Sequence, residues 1–160
     1  MKTKHLTLLI LSLLQFSFSF GQGQTSVAKF IITDASENGI DMTPIALVNE
    51  AYIVFYTSDN DGLIYMANVW PNSDSQSFGP MYAFESEKLS ETYETYEVDI
   101  FYFNWRYANT YDNKKGTAKV EVVKIYKPQG VAFIITIIPE NLDIIVYKGY
   151  MEGTINFSNY

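Results

Sequence analysis

Residues 98–147 read VDIFYFNWRYANTYDNKKGTAKVEVVKIYKPQGVAFIITIIPENLDIIVY. Four runs of strand length lie in this stretch, at 98–109, 117–126, 131–138 and 142–147, and each is rich in β-branched and aromatic residues. Short polar turns separate them: Tyr111 to Gly116, then Lys127-Pro128-Gln129-Gly130, then Pro139-Glu140-Asn141. Glycine and proline punctuate the chain at these points. Strands joined by turns this short pair antiparallel with their neighbours, so the stretch predicts a meander.

Upstream, residues 27–33 (VAKFIIT) and 52–57 (YIVFYT) read as strands. Asp34 to Gly39 reads as a polar turn. Residues 63–70 (LIYMANVW) return from Asp59-Asn60-Asp61-Gly62, a strong hairpin signal. The same turn fails as a calcium loop, because Thr57 and Asn68 stand where such a loop needs Asp and Glu. Thr43-Pro44 could cap and open one short helix over 45–51. Residues 71–79 (PNSDSQSFG) read as a surface loop, and 86–94 (SEKLSETYE) as a short helix or loop. The whole is an all-β domain of about seven or eight strands. Its antiparallel meander is expected to close into a small barrel or to fold as a β-sandwich. Neither repeat nor linker divides it.

The first residues, Met1-Lys2-Thr3-Lys4-His5, form a short basic start. An apolar run at 6–14 follows, and then Ser17-Phe18-Ser19-Phe20-Gly21. That order predicts a signal peptide, residues 1–21, cleaved after Gly21 to leave residues 22–160 as a single β-rich domain. The expected location is the periplasm or the outside. The apolar run is shorter than the roughly 20 residues of a membrane span, so none is predicted.

His5 is the only histidine and would leave with that segment; cysteine is absent. The mature chain would then lack the usual side chains for acid–base, nucleophilic and transition-metal chemistry. Nucleophile-elbow, P-loop and dinucleotide glycine patterns are absent too. The carboxylates inside apolar runs are Asp99, Glu121 and Asp143. The expectation is no enzyme, no metal and no cofactor. The formal net charge is −7, and loss of Lys2 and Lys4 lowers it by two, to about −9. Such a charge, with Arg106 as the single arginine, disfavours nucleic acid and anionic membrane surfaces.

By alternation, Phe101, Phe103, Trp105 and Tyr107 share one face of the 98–109 strand, and Val98, Ile100, Tyr102, Asn104 and Arg106 the other. The aromatic face reads first as hydrophobic core, and alternatively as the lining of a ligand cavity. Tyr102, Asn104 and Arg106 place a phenol, an amide and a guanidinium in a row, which could bind an anionic head group. The competing reading of Arg106 is a structural ion pair. The candidate ligand-binding residues are Tyr102, Phe103, Asn104, Trp105 and Arg106.

The meander, the aromatic wall and the export signal resemble a lipocalin or another small exported ligand-binding barrel, chiefly over residues 98–149. Neither Trp70 nor Trp105 follows a glycine two residues earlier, so the lipocalin Gly-x-Trp is missing and no family residue is carried over. Two functions stand side by side. One is an exported, non-catalytic domain that binds a small apolar or amphipathic ligand. The other is an envelope or extracellular domain with a solid core and a protein partner.

Overall fold

The structure, a computed structural model, describes residues 24–87, 92–93 and 96–157. The segment expected to be cleaved lies outside them. The elements in chain order are β1 (Gln24–Glu37), β2 (Ile40–Asp41), α1 (Thr43–Val48), β3 (Tyr52–Ser58), β4 (Ile64–Trp70), a 3-10 turn (Pro71–Ser73), β5 (Ser75–Glu87), β6 (Thr92–Tyr93), β7 (Tyr96–Asn109), β8 (Lys115–Lys127), β9 (Gly130–Pro139) and β10 (Ile145–Gly153).

Eight strands form one closed antiparallel ring, β10-β9-β8-β7-β5-β4-β3-β1, and β1 pairs back onto β10. Because β1 pairs with both β3 and β10, the barrel expectation holds and the sandwich alternative falls. The two-residue strands β2 and β6 pair with β1 and β7 outside the ring.

Closure depends on local chemistry. Gly149 stands opposite Ile32 at the β1–β10 seam. A Cβ there would lie 1.9 Å from the Ile31 carbonyl oxygen, so only glycine lets the two backbones approach. The register slips beside it, between Ile32 and Asp34, and Thr33 and Asp34 both face outward. This bulge carries β1 onward to Glu37. The polar turn expected at Asp34–Gly39 is therefore only Asn38-Gly39, both at positive φ (51° and 80°).

The interior is packed. Phe30, Ile53, Phe55, Met66, Phe103, Trp105, Val122, Ile135 and Tyr147 are buried there from strands all round the ring. Phe157, after β10, enters the base and meets Phe55, Phe101 and Phe103 with ring centroids 5.2–5.6 Å apart. Hence the aromatic face of β7 is core. The outer face carries Asn104, Arg106, Lys119 and Lys148, all exposed. An apolar interior differs from the polar lumen of a lipid-facing barrel.

Towards the base, β7, β8 and β9 carry a second apolar cluster on their outer face: Val98, Val123 and Ile125, with Ile100 and Ile134 against them. Over this part of its length the long strand β7 is covered on both faces.

Three expected boundaries shift. The helix begins at Thr43, but Thr43 does not cap it: its Oγ1 accepts the Ala35 N–H at 3.0 Å, tying α1 to β1. Residues 75–79 are strand rather than loop. Strand β10 starts at Ile145, not Leu142, and runs on to Gly153, because pairing with β1 supplies hydrogen bonds over its whole length. Leu142 takes a left-handed conformation, φ 63°, in the preceding turn.

Candidate functional site

The loops 38–51, 71–74, 110–114 and 140–144 gather at one end of the barrel, here called the mouth. The helix α1 lies over part of it and buries Ala46. Asn72 fastens the 3-10 turn to the helix end, its Nδ2 donating to the Val48 carbonyl at 2.8 Å. Beneath these loops is a cavity of about 220 Å³.

Inward positions of strands that turn polar near the mouth build this cavity. On β4 the inward residues run Ile64, Met66, Asn68, Trp70, changing from aliphatic to amide and indole. On β5 they are Ser75 and Ser77, and on β7 the last is Asn109. Strand β10 contributes Tyr147, 2% exposed. Strand β1 brings Glu37 to the edge.

These groups form two linked sets. The Trp70 indole N–H donates to Asn68 Oδ1 at 3.2 Å, and Asn68 Nδ2 donates to the Tyr147 hydroxyl oxygen at 3.2 Å. Burial pushes the Tyr147 phenol above the usual tyrosine range, while the Asn68 and Trp70 donors pull it back and Glu37 pushes it up again. On the neighbouring strands β5 and β7, Asn109 Nδ2 donates to Ser77 Oγ at 2.9 Å and to Ser75 Oγ at 3.4 Å. Asn109 Oδ1 accepts the backbone N–H of Tyr111, 2.8 Å, which fixes the amide in this orientation. The arrangement offers neutral hydrogen-bonding groups, an indole and one carboxylate.

The five residues expected to bind ligand divide between the two faces of β7. Phe103 and Trp105 point into the core, and the Trp105 indole donates to the Gly79 carbonyl at 3.1 Å. Tyr102, Asn104 and Arg106 stand on the outer face. Tyr102, Phe103 and Asn104 border an outer groove of about 440 Å³ with Lys119 and Glu121. Arg106 is apart from that groove, its guanidinium 4.9 Å from the centre of the Tyr82 ring. The row therefore does not face the barrel interior. The carboxylates Asp99, Glu121 and Asp143 are also dispersed. Asp99 is at the base, Glu121 in the outer groove, and Asp143 in a mouth turn where it accepts from Asn38.

A further cleft of about 420 Å³ lies at the base, between Phe133 and the chain segment around Phe157. Its polar groups are engaged with one another: the Tyr126 hydroxyl donates to Asp99 at 2.6 Å, and the Lys124 ammonium sits 4.7 Å from the Tyr126 ring centre. Of these sites, the mouth cavity alone combines a buried tyrosine hydroxyl with neutral polar groups oriented by second partners.

Among the described residues no group of His, Cys, Asp and Glu is arranged to hold a metal ion, and no helix is long and apolar enough to cross a membrane. No protein-family model, no curated protein and no solved structure matches this chain.

Proposed function

We propose that this protein is an exported, non-catalytic binding domain that takes a small amphipathic ligand, or one end of a larger one, at the barrel mouth. The observation that carries the reading is the Trp70–Asn68–Tyr147 chain of hydrogen bonds lining the cavity. A half-buried amide and a buried phenol held in fixed orientation are the kind of convergent polar groups that give a pocket specificity. At about 220 Å³ the space falls below the roughly 300–1,000 Å³ of drug-sized pockets, so the bound part is compact. A ligand held deep inside, as in a lipocalin, is not the form proposed, because Phe157 and its neighbours fill that space. Export rests on the order of charge, apolar run and small residues in the first 21 positions.

Native mass spectrometry of protein purified from its own envelope or culture fluid tests this. A retained small molecule, lost in Asn68→Ala, is the expected result. Retention unchanged in that variant would move the site elsewhere.

One observation favours the protein-partner alternative. The mouth loops expose Val48 (74%), Leu142 (72%) and Ile40 (68%). Exposed apolar side chains grouped at one end are what a partner would cover. In that case Val48→Ser with Leu142→Ser would abolish co-purification of a second protein and leave cavity binding unchanged.

A further inference from the structure

We propose that the mouth cavity takes a neutral polyhydroxylated ring, a single sugar or the terminal sugar of a glycan, and turns anions away. This rests on reading the cavity as the binding site.

Hydrogen-bond polarity carries the argument. The Tyr147 oxygen accepts from Asn68, and among the described residues no acceptor takes its own proton. The Tyr147 side chain is 2% exposed and belongs to the lining of the cavity. A buried donor left unmet is costly, so an acceptor in the cavity belongs beside it, supplied by a ligand when one is bound. The Ser75 and Ser77 oxygens likewise accept from Asn109, and neither hydroxyl proton meets an acceptor among the described residues. Three hydroxyl donors thus border one space of about 220 Å³. The same edge holds Glu37, an acceptor.

Each ligand class makes different demands on that set. A fatty acid or other anion would place its charge near Glu37 with no Lys or Arg among the lining residues to offset it. An ammonium ion would suit Glu37 but offers no acceptor to three hydroxyl protons. An apolar molecule would leave all of these groups unmet. A sugar hydroxyl both donates and accepts, so a ring of them can meet Tyr147, the serines and Glu37 together. Its C–H face is apolar and can lie against the Trp70 indole. The protein's net negative charge works in the same direction against anions.

The test is a titration of the mature protein with D-glucose, D-galactose, D-glucuronate, D-galacturonate, glucosamine and octanoate. Binding is followed by the fluorescence of Trp70, with Trp70→Phe as the control that removes the signal. The expected result is saturable binding of a neutral sugar, at least about tenfold tighter than its uronate. Tyr147→Phe should weaken that binding about five- to tenfold, as loss of one hydrogen bond does. Ser77→Ala should weaken it as well, and serves if Tyr147→Phe fails to fold. A uronate bound as tightly as its neutral sugar would overturn the class while leaving the cavity as the site. Octanoate or glucosamine bound in place of any neutral sugar would do the same. No response to any probe would overturn both readings.

Discussion

The Phe157 ring stands edge-on to Phe55, with centroids 5.2 Å apart and planes at 88°. Phe157 follows the last strand, and Phe55 lies on β3, across the barrel from the β7 rings that Phe157 also touches. One side chain from outside the ring of strands thus joins opposite walls.

Phe157→Ala should therefore cost about 3–5 kcal/mol, the usual loss for a buried phenylalanine. Urea unfolding measures it. The binding proposed at the mouth should survive, because Phe157 lies at the other end. A loss within error would show that the base of the barrel closes without it.

Ile135 is fully buried inside β9, and Ile134 is half-buried outside. Ile135→Ala should cost about 2–5 kcal/mol, and Ile134→Ala clearly less. Equal losses in chemical denaturation would contradict the assignment of faces.

Two glycines should respond differently to alanine. At Gly39 nothing lies within 4 Å of an added Cβ, and the obstacle is its φ of 80°. Gly39→Ala should cost about 1–2 kcal/mol. Gly149→Ala would drive a methyl group against the Ile31 backbone at the seam. The ring would have to open or shift there, and the expected result is a far larger drop in melting temperature, or insoluble protein. Similar melting temperatures for the two variants would refute the role of Gly149.

Alkaline stability should depend on Tyr65. Its hydroxyl donates to Asp61 at 2.7 Å, and this bond is the main cause that pushes its pKa up to about 12 from 10.0. A raised folded pKa gives stability that is complete below pH 10.0 and lost as the pH rises towards about 12. Asp61 is held below its usual 3.8 by the same bond, so its share is present above that pH and lost on acidification through the lower folded value. Tyr65→Phe should flatten the melting-temperature profile at both ends. An unchanged profile would show that the pair is not formed in solution.

The meander was legible because its strands alternate cleanly and its turns carry glycine, proline and asparagine. The candidate site was not. Ser75 and Ser77 read as loop because a polar tract after a proline resembles one. They are strand residues whose inward side chains are small and polar where the barrel opens. Asn68 and Trp70 lay inside a segment correctly read as strand, yet nothing local told the mouth end of that strand from its middle. That distinction comes from closure of β1 onto β10, a pairing between residues more than a hundred positions apart, such as Phe30 and Met151. Tyr102, Asn104 and Arg106 form a row of polar groups on an apolar strand, and that row is the solvent side of a barrel wall.

The most direct test of the account uses the two indole N–H signals in a ¹H–¹⁵N spectrum, those of Trp70 at the mouth and Trp105 in the core. A screen of small amphipathic molecules against residues 22–160 should yield binders that move the Trp70 signal and leave Trp105 in place. Asn68→Ala should remove the effect. Binders that move only residues around Tyr102 and Asn104, or a screen in which Trp70 never moves, would contradict the proposal that the mouth cavity binds a ligand.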